Sequence, residues 1–429
     1  MDLRRATEVF LVFLRLGLTS FGGPVAHLGY FREEFVRRRS WLTDADYADL
    51  VALCQFLPGP ASSQVGMALG HRRAGYPGMF LAWLAFTLPS AVLLVAFAYG
   101  MIALEDSALG AMLGTGWLHG IKAAAVAVVA HAVLGMAGNL ATGRLKAGIA
   151  LGAFAVVVLV PQSWAQVAVV ALAAFLGWMW VRVPDAATDS AEDDADDDPT
   201  NDSADGAGAA DSAGASATAP SPSRSRGARR LALTAAVLFL SLLAGLPALA
   251  AATGNGLVAT VDTFYRAGAL VFGGGHVVLP FLETQTVAAG TVTADDFLAG
   301  YAAAQAVPGP LFTFASFLGT VSGQGPGGVL GALVALLAIF LPAVLLLLAA
   351  LPFWERLRQI GPVRRALAGV NAAVVGLLAA ALYSPVFVQG ITGVTTMVIG
   401  AVAFVALAVW RVPAWAVVLG AAVLGALAL

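Results

Sequence analysis

Long apolar stretches alternate with short polar or glycine- and proline-rich segments along most of the chain. The runs Val167–Val181, Leu231–Thr253 and Gly327–Leu351 approach or exceed the roughly 20 residues that an α-helix needs to cross a bilayer. The pattern predicts six hydrophobic elements on either side of one unpaired apolar helix at 231–253. Their expected ranges are 8–30, 47–70, 76–101, 117–138, 146–160 and 163–182, then 258–282, 297–321, 327–352, 366–386, 391–410 and 413–429. An all-α integral membrane protein is therefore predicted.

The two sets of elements share short motifs in the same order. Phe21-Gly22-Gly23 matches Phe272-Gly273-Gly274 at an offset of 251, and Gln55–Pro60 matches Gln305–Pro310 at an offset of 250. Further matches are Thr43, Asp46 and Tyr47 with Thr293, Asp296 and Phe297, Leu88-Pro89 with Leu341-Pro342, and Gly120-Ile121-Lys122 with Gly369-Val370-Asn371. Because each copy holds an even number of elements and one helix connects them, the second copy should be upside down. The prediction is two inverted-topology repeats, an architecture found in transporters.

The distribution of basic residues leaves two topologies open. If all thirteen elements cross the membrane, the N-terminus is inside, but the four arginines of segment 32–44 lie outside, against the positive-inside rule. If the first two elements of each half instead enter and return on the same side, this exception disappears. The sequence breaks at Gly22-Gly23-Pro24, Pro58-Gly59-Pro60, Gly273–Gly275 and Pro308-Gly309-Pro310, where re-entrant elements would turn. We favour broken or re-entrant elements over straight crossings.

Composition supports the membrane class and separates one unlike segment. Only 11% of the residues are charged, against about 25% in soluble domains. Residues 184–228 hold eleven of the 25 acidic residues and lack apolar periodicity, which predicts a disordered linker, with metal binding by the aspartates as the alternative. The expected domains are an N-terminal repeat (1–183), this acidic linker (184–228), a connecting transmembrane helix (229–257) and a C-terminal repeat (258–429). The rest of the chain carries a net charge of +7, which suits an anionic substrate.

The breaks inside the apolar elements are the main candidate substrate site. Each break leaves backbone groups unpaired at membrane depth, and a half-helix that begins after a break points its N–H groups and positive dipole end toward the gap. Glycines that only allow close helix packing are the alternative. The candidate residues are Phe21, Gly22, Gly23, Pro24, Pro58, Gly59, Pro60, Phe272, Gly273, Gly274, Gly275, Pro308, Gly309 and Pro310.

Two arginines occupy equivalent positions before the glycine breaks. Arg15 lies six residues before Phe21, and Arg266 lies six residues before Phe272. Two guanidinium groups near the midplane can bind a doubly charged tetrahedral oxyanion between them. In the alternative interpretation, each arginine reaches an interface or pairs with a nearby acid such as Asp262.

Other polar residues in apolar elements are further candidates for binding the substrate. Lys122 is one of two lysines and has Asn371 as its repeat partner, so the positive charge is present in only one copy. Gln55 and Gln305 precede the proline breaks and can donate amide hydrogens to an oxyanion, or simply hydrogen-bond between helices. Hydroxyl donors follow the breaks at Ser62, Ser63, Thr313 and Ser316.

Proton coupling has four candidate residues: His27, Glu33, His276 and Glu283. Glu33 and Glu283 align at the 250 offset, but Glu33 lies beside arginines, where ordinary salt-bridging is the alternative. The histidines can shuttle protons or be structural. No P-loop, dinucleotide fingerprint or nucleophile elbow occurs in the sequence, so we expect no enzyme activity, no metal and no cofactor, and transport driven by an ion gradient or the membrane potential.

At these motifs the chain resembles the chromate ion transporter family, in its long two-domain form. The resemblance is carried by Phe21–Pro24 with His27, Glu34-x-Val36, Trp41-Leu42, Gln55–Pro60, Gly70, Gly75, Gly78, Leu88-Pro89-Ser90, Phe272–Gly275, Gln305–Phe312 and Leu341-Pro342. It covers nearly the whole chain outside the acidic linker, which is not a usual feature of the family.

The resemblance implies chromate efflux and chromate resistance, with sulfate as a related or competing oxyanion, and two halves of opposite orientation. The expected location is the inner (plasma) membrane of a prokaryote, with the linker in the cytoplasm. Expected partners are the oxyanion, membrane lipid and a second copy in a homodimer, without nucleic acid. A sulfate transporter of the same fold and an uncoupled anion channel are the rival functions, and a membrane-embedded enzyme is a remote third.

Overall fold

The computed structural model describes residues 3–21, 23–105, 107, 115–160, 163–181, 226–271, 278–353 and 361–429. These ranges are helical and contain no β-strand, so the predicted all-α class is confirmed. The first half consists of α1 (Leu3–Thr19), α2 (Gly23–Phe31), α3 (Asp44–Phe56), α4 (Ala61–Glu105), α5 (Gly116–Leu140), α6 (Arg144–Leu159) and α7 (Ser163–Trp180). After α8 (Arg226–Thr253), the second half consists of α9 (Gly256–Leu270), α10 (Val278–Thr286), α11 (Ala294–Ala306), α12 (Phe314–Val321), α13 (Gly328–Ala350), α14 (Gly361–Ala381), α15 (Val394–Ala408) and α16 (Ala414–Ala428).

Several predicted elements consist of two helices, because the helix is interrupted at the glycine and proline motifs. The predicted element 8–30 is divided between α1 and α2, and 47–70 is divided between α3 and α4 at Pro58-Gly59-Pro60. The same division separates α11 from α12 in 297–321, where a 3₁₀ turn (Leu311–Thr313) precedes α12. Most of the predicted linker lies outside the described residues, and α8 begins at Arg226, inside the range predicted for the linker.

Five of the described helical segments are long and apolar enough to cross a membrane. They are Ala61–Leu104, Gly116–Gly138, Arg229–Thr253, Gly328–Phe353 and Arg364–Gly390. The first of them is bent at Gly75, whose φ of +67° interrupts the helix between the predicted elements 47–70 and 76–101. Shorter apolar helices such as α15 and α16 pack beside them, as expected for a multi-pass membrane protein.

The helices pack into two groups, and each group contains helices from both halves of the chain. In one group α1 packs on α4, α9 packs on α13, and α4 contacts both α12 and α13. In the other group α5 and α14 lie in contact at the centre; the first-half helices α6 and α7 pack on α14, and the second-half helices α15 and α16 pack on α5. The two halves are therefore interleaved.

Glycines allow the closest helix–helix contacts, and they occur at equivalent positions in the two halves. Gly120 of α5 lies against Gly425 of α16, and Gly369, the repeat equivalent of Gly120, lies against Gly177 of α7. At each contact a Cβ atom in place of the glycine hydrogen would collide with backbone of the facing helix. Equivalent positions that exchange partners in this way are typical of a two-fold related interface.

Candidate functional site

The two proline breaks meet the ends of α1 and α9 in the opposite half of the chain. The backbone N–H of Gly59 donates a hydrogen bond to the carbonyl oxygen of Val271 at 2.7 Å, and that of Gly309 donates to the carbonyl oxygen of Ser20 at 2.9 Å. Ser20 directly precedes Phe21, and Val271 directly precedes Phe272, so the two bonds join equivalent positions. These two crossing points are together called the junction.

Glycine is required at both crossing points. Gly59 has a φ of +112° and Gly309 a φ of +106°, which L-residues with a side chain rarely adopt. A Cβ atom at Gly59 would lie 3.2 Å from the Cβ of Ala343, and one at Gly309 would lie 3.1 Å from the Cβ of Ser90. Ala343 and Ser90 each follow a Leu-Pro pair at matching places in the repeat. The two crossing points are therefore equivalent in their neighbouring residues as well as in their backbone hydrogen bonds.

Two helical segments begin at the junction. α4 begins at Ala61, directly after Pro60, and the 3₁₀ turn leading into α12 begins at Leu311, directly after Pro310. Ala61 and Leu311 are both buried. The first N–H groups of a helix have no carbonyl partner within it, and they carry the positive end of the helix dipole. Each break thus brings backbone donors into the protein interior.

Polar side chains surround the junction and connect the halves. The Ser90 and Thr313 hydroxyl oxygens lie 2.8 Å apart, which joins α4 to the turn before α12. The His27 ring is fully buried, with Nδ1 3.4 Å from Oγ of Ser62 and Nε2 3.2 Å from the carbonyl oxygen of Ser20. The same Ser20 carbonyl accepts the bond from Gly309, so His27 is part of the junction.

Four buried polar atoms near the junction in sequence have no hydrogen-bond partner. They are the hydroxyl oxygens of Ser20, Ser63 and Thr87 and Oε1 of Gln64, and each of these residues is at most 2% exposed. Nε2 of Gln64 donates to the carbonyl oxygen of Pro58 at 3.0 Å, which fixes that side chain at the first break. Since unpartnered buried polar atoms are unfavourable, this region is suited to a polar ligand or to water.

Sequence reasoning did not find several of these residues. It singled out Ser62, Ser63 and Thr313 but not Ser20, Gln64 or Thr87, and it used Ser90 only as part of a motif. A usable signal was present for Ser90, which follows Leu88-Pro89 within an apolar run where a hydroxyl is unusual. None was evident for the other three.

The predicted glutamines behave differently in the two halves. Gln305 donates from Nε2 to the Tyr301 hydroxyl at 2.8 Å, one turn earlier on α11, whereas Gln55 is exposed on α3. The Phe21 ring lies 6.2 Å from the ring of Trp415. Pro24 lies in the first turn of α2, whereas Gly22 and the whole second glycine motif, Phe272 to Gly275 with His276, lie outside the described residues.

The two predicted arginines are each engaged by an acid of their own half. Nη2 of Arg15 lies 2.5 Å from Oε2 of Glu34, and the Arg15 side chain is half-exposed. Nη2 of Arg266 lies 2.6 Å from Oδ2 of Asp262 and donates to Oε1 of Gln285 at 3.1 Å. This is the acid-pairing arrangement considered above as the alternative, and a shared dianion between the two guanidinium groups stays a prediction.

Glu34 holds the arginine-rich segment 32–44 together. Its buried carboxylate accepts a hydrogen bond from Nε of Arg39 at 2.7 Å in addition to the Arg15 contact, and Arg39 also pairs with Glu8 at 3.1 Å. Burial raises the pKa of Glu34, but the hydrogen bonds and positive charges of Arg39 and Arg15 outweigh it and hold the pKa below its ordinary value of 4.5. The carboxylate is therefore charged at neutral pH.

Lys122 is far from the junction. Its Nζ lies 2.7 Å from Oδ1 of Asp295 in the first turn of α11, and among the lysines and arginines whose burial the structure describes Lys122 alone is buried. Asp295 and Gly309 are separated by the length of α11, which is about 20 Å at 1.5 Å per residue. Asn371, the repeat equivalent of Lys122, is partly exposed on α14.

The two predicted proton-coupling glutamates have unlike surroundings. Glu33 is exposed and pairs with Arg38 at 3.2 Å and Arg37 at 3.8 Å, in the salt-bridging manner considered as the alternative. Glu283 is partly buried on α10, where the hydroxyl of Thr284 lies 3.4 Å from its Oε2. Across the described ranges, no group of three or more His, Cys, Asp and Glu side chains is arranged to hold a metal ion.

Comparison with known proteins gives a consistent result. The sequence profile described as Chromate transporter matches residues 7–178 and 258–426, leaving out the linker region and α8. A chromate transport protein of Pseudomonas aeruginosa is 29% identical over 379 residues, covering 87% of this chain and 79% of that protein. A chromate transport protein of Cupriavidus metallidurans is 26% identical over 391 residues, covering 87% and 81%. An uncharacterized transporter of Methanocaldococcus jannaschii is 24% identical over 378 residues, covering 87% and 83%.

No solved structure matches the chain. The profile match covers most of the two halves, and it includes the proline breaks, Ser90, Thr313 and His27. The resemblance seen in the motifs is thereby confirmed, and the chain belongs to the chromate transporter family.

Proposed function

We propose that the protein is a secondary transporter that exports chromate, a divalent tetrahedral oxyanion, across the plasma membrane of a prokaryote. Family membership and the names of the two bacterial relatives support chromate as the substrate. The observation that carries the proposal is the reciprocal junction, where two helix starts and a set of buried hydroxyls meet inside an apolar protein. Sulfate transport by the same site is the second candidate, because sulfate has the same charge and shape.

The junction offers the donors that an oxyanion needs. A tetrahedral dianion accepts several hydrogen bonds at once, and the first N–H groups of α4 and of the Leu311–Thr313 turn, which have no carbonyl partner within their own helix, are such donors. The Ser63 hydroxyl, which has no partner, adds a donor that needs no titratable charge. The Thr313 hydroxyl donates to the carbonyl oxygen of Pro310 at 2.7 Å, so Ser90 donates to Thr313, and these two bonds hold the second break in place beside the site. In this proposal Arg15 and Arg266 position α1 and α9 through their acid pairs.

The proposed mechanism is alternating access by two oppositely oriented halves around the junction. Inverted repeats commonly place the substrate at their interface, at discontinuous helices near the bilayer midplane. The acidic linker is then cytoplasmic, on the same side as the arginine-rich segment 32–44. The protein performs no covalent chemistry on its substrate.

Coupling to protons is assigned to His27 in this proposal. His27 is a titratable side chain that contacts the junction directly, through Ser62 and the Ser20 carbonyl. Because the Ser20 carbonyl only accepts, Nε2 keeps its hydrogen in the neutral ring, and the ring gains its second proton at Nδ1. That proton changes the local charge and reverses the direction of the hydrogen bond with the Ser62 hydroxyl.

The experiment is flux of radiolabelled chromate and sulfate into proteoliposomes that contain the purified full chain. A secondary transporter should accumulate chromate in response to an imposed pH gradient, whereas an uncoupled channel should follow the membrane potential alone. His27→Gln should retain some flux but lose the response to the pH gradient. His119→Gln, which alters a partly exposed histidine bonded to the carbonyl oxygen of Thr115, is the matched control and should respond as the wild type does.

Flux that ignores the pH gradient in the wild type contradicts proton coupling and favours the channel. Absence of any flux of either oxyanion, from protein that remains monodisperse, contradicts the proposed function itself.

A further inference from the structure

Helices α3 and α11 are equivalent in the repeat but differ in their packing. α3 packs on α4 and on the segment that follows α2, whereas α11 packs also on α5 and α16, in the other helix group. The difference is visible residue by residue: Ala48, Asp49 and Ala52 are exposed, while their equivalents Leu298, Ala299 and Ala302 are fully buried.

The exposed residues of α3 form one continuous stripe. Ala48, Asp49, Ala52 and Gln55 follow each other at helical spacing and end next to the first proline break. The stripe is called the α3 face. Because it carries the charged Asp49, which is costly in lipid, the α3 face is suited to water. It extends along α3 from the segment that follows the arginines to the first proline break.

An ion pair at the start of α11, between buried Lys122 and the largely exposed carboxylate of Asp295, has no counterpart on α3. Asp295, in the first turn of α11, contacts buried Lys122 at 2.7 Å. In the other copy the equivalent positions hold Ala45 and Asn371, which cannot form an ion pair. The ion pair is therefore present on α11, which packs against the other helix group, and absent from α3, which has an exposed face.

We propose that the Lys122–Asp295 ion pair is a latch that closes the α11 side of the junction while the α3 side stands open. In the opposite state the two helices exchange roles. The α3 face then packs against α14 and α7, which are the repeat equivalents of α5 and α16, and α11 moves away from α5. Asp295 acts through Lys122 and so is a positioning residue for transport. When the latch opens, Lys122 loses its carboxylate and becomes available to an anion that passes along α11.

This inference rests on the proposed transport function, but its test does not require substrate. Cys54 is the single cysteine and is fully buried, so Cys54→Ser gives a background for thiol labelling. Ala52→Cys and Ala302→Cys are a matched pair, since both replace an alanine at equivalent positions of α3 and α11. Each is made with and without Asp295→Asn and labelled with a water-soluble maleimide in membranes open on both sides.

With the latch intact, we expect labelling at position 52 and protection at position 302. Asp295→Asn should raise the labelling rate at 302 by about tenfold and lower the rate at 52, because it shifts the population toward the exchanged state. Asp296→Asn is the control, since that carboxylate lies in the same turn but accepts from the Thr293 hydroxyl at 2.6 Å and not from Lys122. The exchanged pair Lys122→Asp with Asp295→Lys should restore the original rates.

Three results would overturn the latch. If Asp295→Asn leaves the labelling rates at 52 and 302 unchanged, the ion pair does not control access. If it raises the labelling rate at both positions, the variant unfolds locally and the two helices do not exchange their packing. Absence of labelling at 52 in the original background shows that the α3 face is not open to water. The latch and the substrate assignment can fail separately. If the protein moves neither chromate nor sulfate, but Asp295→Asn still raises the labelling rate at 302 and lowers it at 52, only the substrate assignment is refuted.

Discussion

Replacement of Gly309 by alanine tests the junction at a single atom. The φ of +106° is costly for a residue with a side chain, by about 1–3 kcal/mol. The added Cβ would lie 3.1 Å from the Cβ of Ser90 and 3.3 Å from the carbonyl oxygen of Phe86, both on α4. Crowding of a packed position adds about 1–3 kcal/mol, so we expect Gly309→Ala to destabilise the protein by about 2–6 kcal/mol.

The same change should affect transport more than stability alone explains. Ser90, which the new methyl group would press upon, is the residue that hydrogen-bonds to Thr313. Movement of the Gly309 backbone also lengthens its bond to the Ser20 carbonyl, which is shared with His27. Since each 1.36 kcal/mol lost in the rate-limiting step costs about tenfold in rate, we expect chromate flux to fall by about tenfold or more.

The control is Gly290→Ala, in the turn after α10. Gly290 also has a positive φ, +72°, but nothing lies within 4 Å of its added Cβ. It should therefore show only the backbone strain, about 1–2 kcal/mol, with flux close to wild type. Stability is measured as the thermal midpoint of the detergent-solubilised protein by size-exclusion chromatography, and flux is measured in proteoliposomes at matched protein content. Equal behaviour of the two variants in both assays would refute the role of Gly309.

Further predictions concern other parts of the structure. Glu34→Gln should destabilise the protein at pH 7 by about 1–3 kcal/mol, because two arginines lose a charged hydrogen-bond acceptor. Since the pKa of Glu34 is held below 4.5 in the folded protein, its stabilisation is fully present above pH 4.5 and is lost as the pH falls through the lowered pKa; the thermal midpoint of the wild type should fall there, and that of Glu34→Gln should fall less. Ser90→Ala and Thr313→Val should each reduce chromate flux, and the double variant should lose less than the product of the two, as a double-mutant cycle of flux will show. Gly120→Ala should prevent close approach of α5 to α16 and reduce folded yield in size-exclusion chromatography. Gly135→Ala on the same helix should fold as the wild type does, because its added Cβ would meet no atom within 4 Å.

The membrane class and the helix interruptions were predictable from the sequence because both depend on local chemistry. Apolar run length decides whether a helix can cross a bilayer, and the Pro-Gly-Pro motifs mark where α3 and α11 end, whereas single prolines such as Pro89 and Pro342 lie inside helices. Thr43 and Thr293, matched in the repeat, each accept a hydrogen bond from the backbone N–H three residues later and begin α3 and α11. These features need no knowledge of distant contacts.

The partners of the buried charges were not predictable, because they depend on how the halves interleave. Lys122 pairs with Asp295 across 173 positions of sequence, and nothing local to either residue indicates this. Likewise, an equal sequence spacing for Arg15 and Arg266 suggested a shared ligand, whereas local packing gives each its own acid. Spacing identifies equivalent positions, but only the packing shows what each position faces.

Equilibrium binding of radiolabelled chromate to the purified, detergent-solubilised full chain tests the junction as the oxyanion site most directly. We expect the wild type to bind chromate, sulfate to displace it, and the variant with Ser90→Ala and Thr313→Val to bind about tenfold or more weakly while eluting as a folded species. Undiminished affinity in that variant, or no specific binding by the folded wild type, would contradict the assignment of the site.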